Sequence, residues 1–419
     1  MAKRNKKGTL LKNTVMLYIL TFSNYFFGFI TVPYQTRVLG AEIYGILGFA
    51  AACAVYVQLF LDFGFLLSAT GDVSNHRDNK EALSRIMSAV LVGKLILIAA
   101  SLIAVVAICM TVEKFRQDIL LYMLFFLYIA INCLLPDFLY RGLERMSSIT
   151  YRTVAVKLFF TLAIYVCLRS KEQYYMVPLM NALGAFGACI WTYFDVYKNL
   201  HIRFVKVDFG YVWDTLRRSG SYFWSRIAST VYGATNALII GFLYPAGATV
   251  GLYTASEKLM TTARSAFSPI ADSMYPYMVA NRDYKLVKKI MLILMPIVIV
   301  GCAVVGIFAE PFCALMFGEE FRASGELLRL LLPVVVITLP TYVCGFPMLS
   351  PLGKAQYANI SVIVGAIVHA CMLAFLFMTG SLTVTSICVA TCITETLVLS
   401  IRLFVIVKNR DLMTKDLAQ

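Results

Sequence analysis

The chain has little of what soluble enzymes depend on. Only 14% of its 419 residues are charged, and it contains three histidines. A typical soluble protein has about 25% charged residues. The nucleophile motif GxSxG, the zinc motif HExxH and the phosphate-loop motif GxxxxGK[ST] are all missing. The sequence therefore predicts a protein that is not an enzyme, uses no cofactor or metal, and hydrolyses no ATP.

Cysteine and positive charge, which can signal other functions, both have simpler explanations here. None of the eleven cysteines forms a CxxC motif, and they lie inside or beside apolar runs. We interpret them as small core hydrophobes and not as disulfides or metal ligands. The net charge of +14 is spread between apolar segments. Such a pattern indicates membrane topology and no nucleic-acid partner.

Long apolar segments dominate the chain, since 60% of its residues are hydrophobic. About 20 apolar residues are enough to cross a bilayer as a helix, and lipid cannot satisfy the open edges of strands. We therefore predict an all-α polytopic membrane protein with twelve transmembrane helices, the first of them retained and not cleaved as a signal peptide. The predicted helices span residues 13–32, 41–67, 84–110, 117–139, 148–168, 174–195, 217–243, 250–279, 286–308, 326–349, 356–378 and 383–407.

Lysine and arginine are concentrated in the loops on one side of these helices, which predicts that the N and C termini are both cytoplasmic. The longest loop lies near the middle of the chain. We therefore predict two six-helix lobes, residues 1–200 and 217–419, joined by a cytoplasmic linker at 201–216. A short similarity between residues 39–45 and 246–251 favours an internal repeat, which is common in secondary transporters.

Predicted helices one, seven and eight each carry polar residues at helical spacing, so that each has one polar face. In helix eight this face runs from Tyr253 to Asp272. We predict that the three faces line an aqueous cavity, although hydroxyls and small residues can equally pack helices together. The predicted polar lining consists of Tyr18, Asn24, Tyr25, Tyr222, Asn236 and Tyr253.

Charged side chains inside the predicted helices are the candidate site residues, because charge in lipid is costly and is usually functional. The candidate cations are Arg226, Arg264, Lys258, Lys94 and Lys157. Lys94 and Lys157 could instead snorkel to the membrane surface, as we expect of Arg329 and Arg402. The candidate ion-coupling acids are Asp62, Glu257 and Asp272, which could equally neutralise an arginine. His369, a lone histidine in an apolar span, is expected to be a satisfied core residue and not a ligand.

Three stretches together resemble a known family: residues 36–45 followed by Asp62-Phe63-Gly64, residues 135–146, and residues 219–276. Their combination resembles the polysaccharide-transporter branch of the multidrug/oligosaccharidyl-lipid/polysaccharide exporter superfamily, and within it Wzx-type O-antigen flippases. Asp137 departs from the pattern, since many relatives carry an aromatic residue there. The resemblance implies a two-lobed, multi-pass protein of the bacterial inner membrane that moves oligosaccharide repeat units linked to undecaprenyl diphosphate.

A cationic cavity suits such an anionic cargo, because arginine binds diphosphate oxygens with two parallel hydrogen bonds. Transport would use a gradient of protons or sodium ions, or the gradient of the substrate itself. A contact with a polymerase or chain-length regulator is left open. One alternative is a drug or cation antiporter, which would favour an acidic cavity. A less favoured one is an O-antigen polymerase, which would need a large extracytoplasmic loop; the largest such loop here is 309–325.

Overall fold

The computed structural model describes residues 6–244 and 247–410, and within them the side chains of residues 13, 15–223, 227, 234–244 and 247–410. Throughout these residues the regular secondary structure is helical, with no strand. The first nine α-helices are α1 Lys6–Asp62, α2 Phe65–Asn75, α3 Lys80–Thr111, α4 Glu113–Gln117, α5 Ile119–Cys133, α6 Asp137–Gly142, α7 Met146–Cys167, α8 Met176–Lys198 and α9 Phe209–Leu243.

The remaining helices follow with short connections. They are α10 Ala248–Ser265, α11 Ser268–Asn281, α12 Tyr284–Ile307, α13 Ala309–Phe317, α14 Ser324–Val343, α15 Phe346–Leu349, α16 Gln356–Met378 and α17 Val384–Lys408. Short 3₁₀ helices occupy Lys171–Tyr175 and Glu319–Phe321. Each apolar segment predicted from the sequence is largely helical, and the first two predicted segments share α1.

Nine stretches of the described chain are long and apolar enough to cross a membrane. The first, Val15–Asn75, has 61 residues and is broken at Gly40, so its length suffices for more than one crossing. The polar helix α10 is not among the nine. The prediction of an all-helical membrane protein is therefore confirmed, whereas the count of twelve and the cytoplasmic termini stay predictions.

The chain divides into two compact units by its own packing. Unit 1 comprises Met1–Leu39 and Phe49–Thr230, and unit 2 comprises Gly40–Gly48 and Val231–Gln419. In unit 1 the buried core includes Phe65 and Val73 of α2 and Leu139 and Tyr140 of α6. In unit 2, α14 packs against α10, α12 and α17, and α16 packs against α17. The division into lobes at 201–216 stays a prediction from the sequence.

The connection before α9 is bound to unit 1. Residues 201–208 have no regular secondary structure, and α9 begins at Phe209. The backbone N–H of Arg203 donates to Ser84 Oγ at 3.1 Å, and that of Val205 donates to Ser88 Oγ at 3.0 Å. Each of these serine hydroxyls donates to a carbonyl oxygen of α3 at 2.8 Å. Two serines one helical turn apart on α3 thus satisfy the backbone of this extended segment.

The turn at Gly64 brings α2 close to α9 within unit 1. Gly64 has φ +79°, a left-handed conformation that favours glycine. A Cβ at this position would lie 2.5 Å from the carbonyl oxygen of Ser219. One turn later, Ser68 Oγ and Ser219 Oγ are 2.6 Å apart and share a hydrogen bond. Gly64 of the Asp62-Phe63-Gly64 motif therefore permits a close contact between α2 and α9.

In unit 2, the two glycine-containing stretches that resemble each other in sequence pack against each other. A Cβ on Gly45 would overlap the carbonyl oxygen of Gly247 and lie 2.6 Å from the backbone nitrogen of Gly251. Alongside this contact, the N–H of Ala41 donates to the carboxylate of Glu320 at 2.9 Å. The absence of side chains at Gly45 and Gly251 thus permits direct backbone packing.

Replacing Gly45 by alanine is expected to destabilise the protein by about 1–3 kcal/mol, because the new methyl group overlaps fixed backbone atoms. Thermal unfolding in detergent measures this loss. Gly301→Ala is the control, because a Cβ at that position of α12 meets no atom within 4 Å. That variant is expected to unfold at or above the wild-type temperature, and equal behaviour of the two variants would contradict the close contact.

Candidate functional site

A pocket of about 590 Å³ lies within unit 2, between α10, α11 and α14–α17. Two arginines and two acids line it: Arg264, Arg402, Asp272 and Glu395. Aromatic rings from Tyr275, Tyr342 and Phe346 complete the wall. Its volume is within the range of about 300–1,000 Å³ that is usual for ligand pockets.

Arg264 forms an ion pair inside this pocket. Its Nη2 lies 2.6 Å from Glu395 Oε1, and the Glu395 side chain is only 4% exposed. The sequence left open whether Glu257 and Asp272 partly neutralise Arg264, because all three fall on one predicted helical face. Instead α10 ends at Ser265 and α11 begins at Ser268, with a proline in its first turn, so the predicted continuous face is broken. The carboxylate that pairs with Arg264 comes from α17.

Arg402 is the cation at this pocket that the sequence interpretation missed. Its position near the end of a segment predicted snorkelling, but the residue is only 8% exposed. Its Nε donates to Ser361 Oγ at 2.9 Å, and its Nη2 donates to the Ala358 carbonyl at 3.0 Å. These neutral acceptors hold the guanidinium inside the protein, which is why it does not reach the membrane surface.

The other charged candidates of α10 and α11 are distributed differently. Asp272 is exposed and lines the pocket, where it accepts a hydrogen bond from Ser268 Oγ at 3.1 Å. Glu257 accepts a hydrogen bond from the hydroxyl of the buried Tyr253 at 3.2 Å. The Lys258 side chain is exposed and does not line the pocket.

Two of the predicted polar-lining residues lie in the packed interior of unit 2. Asn236 is 3% exposed and Tyr253 is 1% exposed. Asn236 Nδ2 donates to Thr391 Oγ1 at 3.0 Å, and Asn236 Oδ1 lies 2.9 Å from His369 Nε2. Asn236 therefore connects α9 with α16 and α17, and neither Asn236 nor Tyr253 lines the pocket.

Unit 1 contains a second polar cavity, of about 310 Å³. It brings together the predicted residues Asp62, Lys94 and Lys157, which are far apart in the sequence. The cavity is also lined by two charged side chains and three amides that were not selected from the sequence. They are Asp137, Arg152, Gln58, Asn132 and Asn181.

The charges of this cavity are held in place by short contacts. Arg152, which is buried, donates from Nη2 to Asp137 Oδ1 at 2.6 Å. Lys94, also buried, donates to the carbonyl oxygen of Cys133 and lies 5.8 Å from the ring centre of Phe138. The carbonyl is available because α5 ends at Cys133. Lys94 therefore does not snorkel.

Comparison with known proteins identifies the family. The family model of "Polysaccharide biosynthesis protein" matches residues 10–282. The chain belongs to this family. A Shigella dysenteriae relative, provisionally named an O-antigen transporter, is 26% identical over 363 residues, which is 85% of this chain and 90% of that protein. A relative from Escherichia coli (strain K12) with the same provisional name is 26% identical over 288 residues, or 68% of this chain and 69% of its own length.

Solved structures of similar fold agree with this assignment. "Lipid II flippase MurJ, inward closed conformation" superposes with a TM-score of 0.76 at 10% identity, covering 96% of this chain and 89% of that one. An inward-facing multidrug resistance transporter of the MATE family gives 0.64 at 13% identity, covering 97% and 99%. The likeness shows a shared fold. The family match and the names of the two relatives confirm the resemblance to the Wzx-type polysaccharide-transporter branch.

The remaining candidates of this polysaccharide-family chain lie on or near the surface of unit 1. Tyr18 is half-buried, whereas Asn24, Tyr25 and Tyr222 are exposed. Neither cavity described above includes them. Arg226 belongs to α9, but its side chain lies outside the described residues. Its role stays a prediction.

The region 309–325, which a polymerase would need as a catalytic loop, consists of α13, the Glu319–Phe321 turn and the start of α14. Its charges form local pairs: Arg322 with Glu319 at 2.8 Å, and Arg329 of α14 with Glu310 at 2.8 Å. The hydrogen bond from Arg322 lowers the pKa of Glu319. Glu319 and Glu310 therefore act in surface ion pairs, and the charges of residues 309–325 offer nothing that favours the polymerase alternative.

Proposed function

We propose that this protein is a flippase that moves undecaprenyl-diphosphate-linked O-antigen repeat units from the cytoplasmic to the periplasmic leaflet of the bacterial inner membrane. It works by alternating access and uses an ion gradient. Membership of the polysaccharide biosynthesis family and the provisional names of both relatives support a lipid-linked saccharide as cargo.

The observation that carries the proposal is the pocket of unit 2, where Arg264 and Arg402 are held among apolar helices. A guanidinium binds phosphate oxygens through two parallel hydrogen bonds, and a low dielectric strengthens the contact. Tyr275 and Phe346 beside these cations provide surfaces on which a sugar or an isoprenoid can pack. A pocket built for organic cations would instead carry an excess of acids.

The cavity of unit 1 supports the same proposal with a second set of groups. Its amides and its mixture of acids and cations can hydrogen-bond to sugar hydroxyls. Lys94 and Lys157 can bind an acidic sugar or a phosphate, and Asp62 is the candidate acid for a proton or a sodium ion. Intramembrane acids commonly carry such a coupling ion.

Deleting the gene from its host should abolish surface polysaccharide and leave lipid-linked repeat units accumulating on the cytoplasmic face. Expressing the wild-type chain should restore the polymer. Antibody staining of cells and glycan analysis of the membrane lipids measure both effects. Unchanged polysaccharide in the deletion strain would reject the proposed function.

The same strain tests Arg226. Arg226→Ala is expected to reduce surface polysaccharide at least about tenfold. A hydrogen bond to a charged group contributes about 1.4 kcal/mol or more, and this free energy corresponds to a tenfold change in binding. Arg226→Lys keeps the charge but loses the bidentate geometry, so we expect partial restoration. Protein levels are matched by immunoblotting. Full restoration by both variants would exclude an anion-binding role for Arg226.

A further inference from the structure

His369 of α16 is enclosed by hydrogen-bond partners from two other helices of unit 2. Its Nε2 lies 2.9 Å from Asn236 Oδ1 on α9, and its Nδ1 lies 3.0 Å from Thr394 Oγ1 on α17. The residue is only 2% exposed. The sequence interpretation of His369 as a satisfied core residue accounts for its burial and for these contacts, but not for the direction of its hydrogen bonds.

The two threonines of α17 that belong to this network, Thr391 and Thr394, already donate their hydroxyl hydrogens elsewhere. Thr394 donates to the Ala390 carbonyl at 2.8 Å, and Thr391 donates to the Ile387 carbonyl at 2.9 Å. Thr391 Oγ1 can therefore only accept from Asn236 Nδ2, which orients the amide so that its oxygen faces His369. The ring thus faces an acceptor at each nitrogen.

Two acceptors require two donors, and an imidazole has two N–H groups only when it is protonated. A neutral ring has one lone pair, which would meet an acceptor oxygen at one of the two contacts. To avoid this, either Thr394 must turn its hydroxyl away from Ala390 or the Asn236 amide must turn over. Gain or loss of one proton at His369 therefore changes the bonding between α16 and either α9 or α17.

The charged and titratable groups near this network lie on α17 and α10. Glu395 follows Thr394 on α17 and is paired with Arg264 of the pocket. On α10, Tyr253 is hydrogen-bonded to Asn236 and to Glu257. Residues 234–243, at the end of α9 that carries Asn236, include no charged residue. The network is thus next to the ion pair of the pocket without being part of it.

We propose that His369 is a proton-binding site of the transport cycle, so that the coupling ion is a proton and not sodium. This inference rests on the proposed function and names the ion that it left open. A proton from water binds the unprotonated ring nitrogen and later returns to water on the other side of the membrane. Its binding tightens the bonds of α16 to α9 and α17, and its release loosens one of them.

Titration of the ring by NMR tests the proposal directly. The chain has only three histidines, His76, His201 and His369. In protein labelled with ¹⁵N-histidine and placed in nanodiscs, the variant His76→Gln/His201→Gln leaves the signals of His369 alone. We expect both ring nitrogens to be protonated at the acidic end of a titration from about pH 5 to 8 and one to lose its proton toward the alkaline end. A ring that keeps one protonation state throughout would overturn the proposal.

Complementation of the deletion strain tests the functional part. His369→Gln can still form two hydrogen bonds but cannot bind a proton, and we expect surface polysaccharide to fall at least tenfold. His76→Gln, at an exposed position, is expected to match the wild type. If His369→Gln restores the polymer as fully as the wild-type chain does, the proposed proton site is wrong and the flippase function stands. If His369→Gln fails to accumulate in the membrane, the NMR titration, which keeps the native His369, decides.

Discussion

Arg264→Ala is expected to abolish surface polysaccharide in the deletion strain, the largest loss predicted for any variant in unit 2. The substitution removes a guanidinium from the pocket and leaves the carboxylate of Glu395, whose side chain is 4% exposed, without its partner at 2.6 Å. Breaking such a buried pair costs about 3–5 kcal/mol, and about 1.4 kcal/mol already corresponds to a tenfold change. Immunodetection of the polymer at matched protein levels measures the effect.

A matched control separates this site from ion pairs in general. Arg322 also pairs with a glutamate, Glu319, at 2.8 Å, but its side chain is 51% exposed. Exposed pairs contribute about 0–1 kcal/mol, so Arg322→Ala is expected to behave as the wild type. Equal losses from Arg264→Ala and Arg322→Ala would remove the argument for the pocket.

A double variant separates cargo binding from folding. Arg264→Ala/Glu395→Gln removes both charges, so the buried carboxylate no longer destabilises the protein, and the unfolding temperature should recover most of its loss. Transport should not recover, because the cation that binds the cargo is still missing. Recovery of transport along with stability would mean that Arg264 serves only to neutralise Glu395.

The position of the helices was predictable because hydropathy is a local property. Every apolar segment became helical, since lipid leaves an apolar backbone few alternatives. The break after Ser265 was missed because the polar spacing of helix eight continues across it. Pro269, in the first turn of α11, was the available signal. Spacing alone does not distinguish one helix from two that are nearly in line.

The composition of the sites was only partly predictable. Arg264 and Asp62 could be selected because charge inside an apolar helix is costly wherever it lies. The pairing of Arg264 with Glu395 joins residues far apart in the chain, and no periodicity connects them. Arg402 was missed for a related reason. Its depth in the membrane allows snorkelling, and only the carbonyl and hydroxyl acceptors contributed by other helices keep it inside.

The role that we propose for His369 could not be predicted from the sequence. A buried histidine is usually a satisfied core residue, and the sequence offered nothing to decide otherwise. The information lies in the direction of the hydrogen bonds, which is set by the Ala390 and Ile387 carbonyls one turn before each threonine. A tertiary contact between three helices is needed before these directions constrain the ring.

In unit 1 the largest expected loss of stability follows from Asp137→Asn. It leaves the guanidinium of Arg152, whose side chain is 6% exposed, without the carboxylate at 2.6 Å. The cost should lie at the lower end of about 3–5 kcal/mol, because solvent partly screens a carboxylate that is 31% exposed. A change of 1 kcal/mol shifts the unfolding temperature by about 2–4 °C in a unit of this size, so we expect a decrease of at least about 6 °C. Thermal unfolding in detergent measures it.

The pair Arg77–Glu144 provides the control in the same unit, because its atoms are 2.7 Å apart but its side chains are 33% and 42% exposed. Glu144→Gln is expected to cost at most about 1 kcal/mol. Combining Asp137→Asn with Arg152→Met removes both charges and should restore most of the stability, since an apolar side chain can replace a buried ion. If Asp137→Asn alone is no more destabilising than Glu144→Gln, the cavity of unit 1 is open to water at Arg152. The cation would then be free to contact a cargo directly.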